Sequence, residues 1–166
     1  MENLAQALKE LGDKNGFAIA LDDNGTCSFE LADGRPLVLQ ERVNLNELDF
    51  VALLGEVPDA ARADVFRELL AANFYWEKTL GATLSWNVDL EQVVLIYPLP
   101  LADATPETLE SIFKRFLELQ AAWKERLEGL VAEASENAGT DDDDDDDDDD
   151  GKADAPAGDD HMIINP

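Results

Sequence analysis

Residues 65–101 read VFRELLAANFYWEKTLGATLSWNVDLEQVVLIYPLPL, and this stretch decides the fold. Its first part places Val65, Phe66, Leu69, Leu70 and Asn73 three and four apart, along one face of a helix. That helix is expected to start at Pro58-Asp59 and to end near Lys78 to Gly81. The period then becomes two. Ala82, Leu84, Trp86 and Val88 alternate with Thr83, Ser85 and Asn87, which predicts a strand. Val93 to Tyr97 form a near-continuous apolar run, a second strand, which Pro98 and Pro100 end because proline cannot donate to a ladder.

Upstream, Leu4, Leu8 and Leu11 recur at helical spacing among polar residues, and Asn15-Gly16 supplies a stop. Alternation follows in Phe17, Ile19 and Leu21, in Cys27, Phe29 and Leu31, and in Leu37, Leu39 and Val43. The turns between them are Asp22-Asp23-Asn24-Gly25 and Asp33-Gly34, so a three-stranded meander is expected. Asn44 to Val57 is expected to be a connecting turn or short helix. Downstream, Thr105-Pro106-Glu107 opens a last helix, since threonine caps free amides and proline suits the first helical position. Leu109, Ile112, Phe113, Phe116, Gln120, Trp123, Leu127 and Leu130 give it one long stripe, which fades after about Val131. The order is α-βββ-α-ββ-α, an α+β domain whose antiparallel sheet is packed by helices.

The domain is assigned to residues 1–137, and residues 138–166 are expected to be a disordered acidic tail. Of 166 residues, 38 are acidic, and the net charge is −26. Ten of those acids are the unbroken run Asp141–Asp150. Residues 1–140 still carry a net charge of −14, so the body is acidic without the tail. Phosphate backbones and anionic membrane surfaces would be repelled, which argues against nucleic acid and membranes as partners and for basic ones. No apolar run reaches the roughly 20 residues that span a bilayer, and the start has no secretory pattern, so a cytoplasmic location is expected.

No catalytic constellation can be assembled. The one histidine, His161, lies in the tail, which leaves no Ser-His-Asp or Cys-His pair for the folded part. Cys27, the one cysteine, falls on the face of Phe29 and Leu31 and reads as a core residue. One Cys and one tail His do not make a zinc site. Placing Gly25 sixth in a calcium loop puts Ala20 first and Leu31 last, where acids belong. No phosphate-binding glycine loop is present. The expectation is a binding protein without metal or cofactor, and not an enzyme.

The run Leu69-Leu70-Ala71-Ala72-Asn73, then Gly81-Ala82-Thr83-Leu84, the strand pair Trp86 to Leu101, and Phe113, Phe116, Leu117, Ala122 and Trp123 resemble the class I (Tir-chaperone-like) chaperones of bacterial type III secretion. The resemblance covers about residues 1–131 and leaves out the aspartate tail. It implies a homodimer joined through the second helix and the following strand, with Phe66, Leu69, Leu70, Phe74, Leu84 and Trp86 at the interface. It also implies a groove for the extended N-terminal segment of a secreted effector, assigned to Leu4, Leu8, Leu11, Phe29, Leu37 and Leu39. Two other readings stand beside it. One is an acidic sequestering protein that masks a basic partner with its poly-Asp tail. The other is a same-fold binding protein outside secretion.

Overall fold

A computed structural model describes residues 2–138. The aspartate run and His161–Pro166 lie outside the described residues. The elements are α1 (Glu2–Asn15), β1 (Thr26–Glu30), β2 (Pro36–Arg42), β3 (Glu47–Glu56), α2 (Arg62–Ala72), β4 (Thr83–Asn87), β5 (Gln92–Pro100) and α3 (Pro106–Ala138). The order is the expected α-βββ-α-ββ-α. The five strands form one antiparallel sheet in the order β1-β2-β3-β5-β4.

Two of the expected elements change places. Asn44 to Val57, expected as a turn or short helix, contains the longest strand, β3. Leu48, Phe50, Ala52 and Leu54 alternate into the core, while Val51 and Leu53 stay half-exposed on the other face. Apolar residues on both faces hide a period of two, so the run reads like a buried helix as easily as a strand. Phe17 to Leu21, expected as the first strand, joins no ladder. Its hairpin begins, with the Asp22 amide donating to the Thr26 carbonyl at 2.8 Å, and goes no further. The other end is tied to α1 instead, where the Phe17 amide donates to the Gly12 carbonyl at 3.1 Å.

Gly12 permits that tie. A Cβ there would stand 2.5 Å from the Phe17 oxygen and 2.9 Å from the Ile19 nitrogen, both backbone atoms that cannot swing aside. Gly12→Ala is expected to destabilise the fold by about 1–2 kcal/mol in urea titration, because the clash outweighs alanine's better helix propensity.

The core lies between one sheet face and the helices. A row of residues in register, Phe29–Leu37–Ala52–Leu95–Leu84, crosses all five strands on that face. Phe113 of α3 approaches Phe17 and Phe29, at ring-centroid distances of 6.0 and 6.4 Å, and Phe116 meets Phe50 at 5.8 Å. The fully buried Gln120 has both ends of its amide satisfied. Its Nε2 donates to the Pro36 carbonyl at 3.1 Å, and its Oε1 accepts from Arg35 at 3.4 Å. At the start of α3, Lys14 of α1 and Lys114 each donate to Glu110 at 2.7 Å, which holds that carboxyl down to about 2.

Asp49 of β3 is less well matched. It is buried, Arg42 reaches its Oδ2 at 3.1 Å, and its Oδ1 has no hydrogen-bond partner among the described residues. Burial pushes its carboxyl above the usual 3.8, despite Arg42. The native form therefore binds the proton more readily than the unfolded chain does. That contribution to stability is fully present below pH 3.8 and is lost as pH rises through the folded value. Asp49→Asn is expected to remove this pH dependence and to raise neutral stability by about 1 kcal/mol, compared by urea midpoints near pH 4 and pH 7.

Candidate partner-binding surfaces

The first surface is a groove between the first half of α1 and the irregular segment after it. Its volume is 530 Å³, and its apolar lining is Leu4, Leu8, Ile19 and Leu21. Leu8 and Ile19 form the floor, being 1% and 4% exposed, and Leu4 and Leu21 are half-buried walls. Lys9, Asp13 and Glu41 stand on the rim, with Lys9 and Asp13 paired at 2.8 Å.

Along one wall, Ala18 to Leu21 alternate exposed and buried as a strand would. Yet none of these four residues makes a backbone–backbone hydrogen bond among the described residues. The neighbouring β1 has free edge groups as well. Its ladder to β2 is bracketed by the bonds Glu41 to Gly25 and Leu31 to Arg35, so the odd-numbered residues face β2 and the even-numbered ones face outward. Asp22 satisfies Thr26, and the outward groups of Ser28 and Glu30 remain open. Backbone groups left in this state are a template for an added strand.

The groove assignment needs correction. Leu4 and Leu8 do line it. Leu11, Leu37 and Leu39 have 1% or less of their surface free, because α1 and α3 close over that sheet face, and they belong to the core. Phe29 is half-buried and spends its ring on Phe17, 4.9 Å away. Ala18, Ile19, Ala20, Leu21 and Glu41 were missed. Their alternation was visible in the sequence, but it reads as a paired strand, and sequence carries no sign that the ladder is absent.

The second surface lies around α2 and β4. Phe66, Leu69, Leu70, Leu84 and Trp86, five of the six residues expected at an interface, line one shallow depression of 190 Å³. Phe66 and Trp86 stack at 5.2 Å, and the Arg62 guanidinium lies 5.0 Å over the Trp86 ring. Leu69 and Leu84 are mostly core, at 5% and 4% exposed. The free apolar area comes from Leu70, Phe74, Tyr75, Trp76 and Leu80, which are 53–74% exposed. Tyr75, Trp76 and Leu80 all take positive φ, between 51° and 55°, which is costly for side chains of this size. Backbone bonds fix that turn, the Trp76 amide donating to the Asn73 carbonyl at 3.1 Å and the Gly81 amide to the Trp76 carbonyl at 3.3 Å.

The edge of β4 is partly closed. Asn73 lays its amide against Leu84, donating from Nδ2 to the Leu84 carbonyl and accepting the Leu84 amide at Oδ1, both at 2.9 Å. The Ala82 amide is taken by the Thr79 carbonyl at 2.9 Å. By the same alternation Trp86 also faces outward, and its backbone groups have no partner among the described residues, so a partner here meets a partly capped edge beside exposed apolar side chains.

Among the described residues no group of His, Cys, Asp and Glu is placed to hold a metal ion, and no helix is long and apolar enough to cross a membrane. Residues 6–124 match the model of the Tir chaperone protein (CesT) family. The chain belongs to this family. No curated protein sequence matches this family member. Solved structures share its fold at low identity. A chain of the ExsC–ExsE complex superposes with a TM-score of 0.67 at 18% identity, covering 76% of this chain and 94% of its own. A chain of the HopA1–SchA chaperone–effector complex gives 0.62 at 21% identity, covering 75% and 97%. A chain of the heterodimeric ExoU–SpcU complex, from the type III secretion system of Pseudomonas aeruginosa, gives 0.59 at 20% identity, also covering 75% and 97%. The match therefore extends over nearly the whole of each of these chains and about three quarters of the present one.

Proposed function

We propose that this chain is a cytoplasmic, homodimeric export chaperone that works by binding alone and catalyses nothing. It holds the N-terminal segment of a type III effector extended in the groove beside α1. The observation that carries this reading is the unpaired backbone of Ala18–Leu21 beside the apolar floor of Leu8 and Ile19. An incoming segment gains hydrogen bonds from its backbone and burial from alternate side chains, which is how an extended peptide binds a sheet edge. Such a segment loses conformational entropy when it orders, so a large wrapped surface is needed, and a dimer supplies two grooves. Membership of the Tir chaperone family and the chaperone–effector complexes among its structural relatives support the same reading. The folded domain and the tail beyond about residue 138 are separate working parts.

The test is amide exchange on the full-length protein, with and without the N-terminal segments of proteins that its host secretes. Binding is expected to slow the Ala18–Leu21 amides. Ala20→Pro removes a donor that the chain does not itself use, and it is expected to weaken binding about tenfold without unfolding the protein. Tight binding that leaves these amides fast and ignores the proline would overturn the groove assignment.

A further inference from the structure

We propose that the segment His161–Pro166 of the same chain occupies this groove when no effector is bound, so that the tail is a displaceable latch. The inference rests on the reading of the groove given above. From residue 139 to 160 the sequence contains no apolar side chain larger than alanine or proline. Met162, Ile163 and Ile164 then come together. Two adjacent isoleucines favour an extended backbone. In that form Met162 and Ile164 point to one side, so a single edge-on approach presents two apolar side chains to Leu4, Leu8, Ile19 and Leu21 while the backbone pairs with residues 18–21.

The tether is long enough. Glu110 is fixed to Lys14 at the far end of α1, and Ala138 ends α3 28 residues further on, a helical length of about 42 Å. Some 22 residues separate Ala138 from His161, and fully extended they reach about 75 Å. Tethering supplies an effective concentration on the order of millimolar, so a six-residue segment of millimolar affinity holds the groove about half the time. An effector that wraps a larger surface displaces it.

The charges give the latch a signature. The body and the tether are both acidic, so docking is opposed by repulsion that salt screens. The latch therefore tightens as salt rises, whereas masking of a basic partner by the tail would loosen.

The test compares the full chain with the full-length double variant Met162→Asp/Ile164→Asp. Amides 18–21 are expected to exchange about twice as fast in the variant, at every protein concentration. An effector segment that protects those amides should bind the variant about twice as tightly, because the groove is no longer shared. Equal exchange in the two proteins overturns the latch while leaving the groove reading intact, provided that the effector segment still protects. Protection that fades on dilution also overturns it, since the occupant would then be a second copy. If no effector segment protects residues 18–21, the groove reading itself fails.

Discussion

Leu8→Asp is expected to yield a chain that does not fold, while Leu4→Asp folds and loses its partner. The two leucines lie one helical turn apart and line the same groove, but Leu8 is 1% exposed and Leu4 only half-buried. A carboxylate forced into the site of Leu8 has no partner there, and its desolvation adds to the lost packing, for a cost of about 4 kcal/mol or more. That is most of the stability of an ordinary domain. At Leu4 the charge can turn to solvent, so the cost to folding is about 1 kcal/mol or less, while the groove wall becomes polar. Far-ultraviolet circular dichroism and urea titration report folding, and calorimetry with an effector segment reports binding. A soluble, cooperatively folding Leu8→Asp protein would place that residue outside the core.

Leu70→Asp combined with Phe74→Asp is expected to convert a dimer into a monomer of unchanged stability. Both residues are about 70% exposed in the isolated chain, so their replacement should alter folding by no more than about 0.5 kcal/mol. In a symmetric pair each substitution appears twice, and four carboxylates would face one another across a patch that depends on apolar contact. Dimer dissociation is expected to strengthen by at least about a hundredfold, read by light scattering as a fall from twice 18.2 kDa to 18.2 kDa. A parent protein that already scatters as 18.2 kDa would free this surface for a different partner.

Element types were legible in the sequence wherever one periodicity stood alone. The stripe of α3 and the alternation of β4 are such cases, and both appear where expected. Periodicity failed at β3, whose two apolar faces cancel the signal, and at Phe17–Leu21, whose strand-like pattern is genuine but unpaired. The same limit governs the sites. An apolar residue in sequence carries no mark of whether a helix lies over it. Leu37 and Leu39 were therefore placed in a groove that α1 and α3 close, while Leu70 and Phe74, assigned to a dimer interface, lie on a face that the described residues leave uncovered. The missing ladder and the capping of Leu84 by Asn73 are facts about partners absent from a strand's own residues, and no local pattern encodes them.

The amide of Asn73 has a consequence for assembly. Sheets with two available edges can join end to end, and a heterologous contact that does not close propagates into a filament. A protein that keeps one edge open to receive foreign strands is exposed to that hazard, because its own copies carry strands too. Asn73 occupies Leu84 from within the same chain, so a strand added at that side would find one of its pairing positions already filled. Growth by strand addition is thereby disfavoured at the β4 edge relative to the β1 edge.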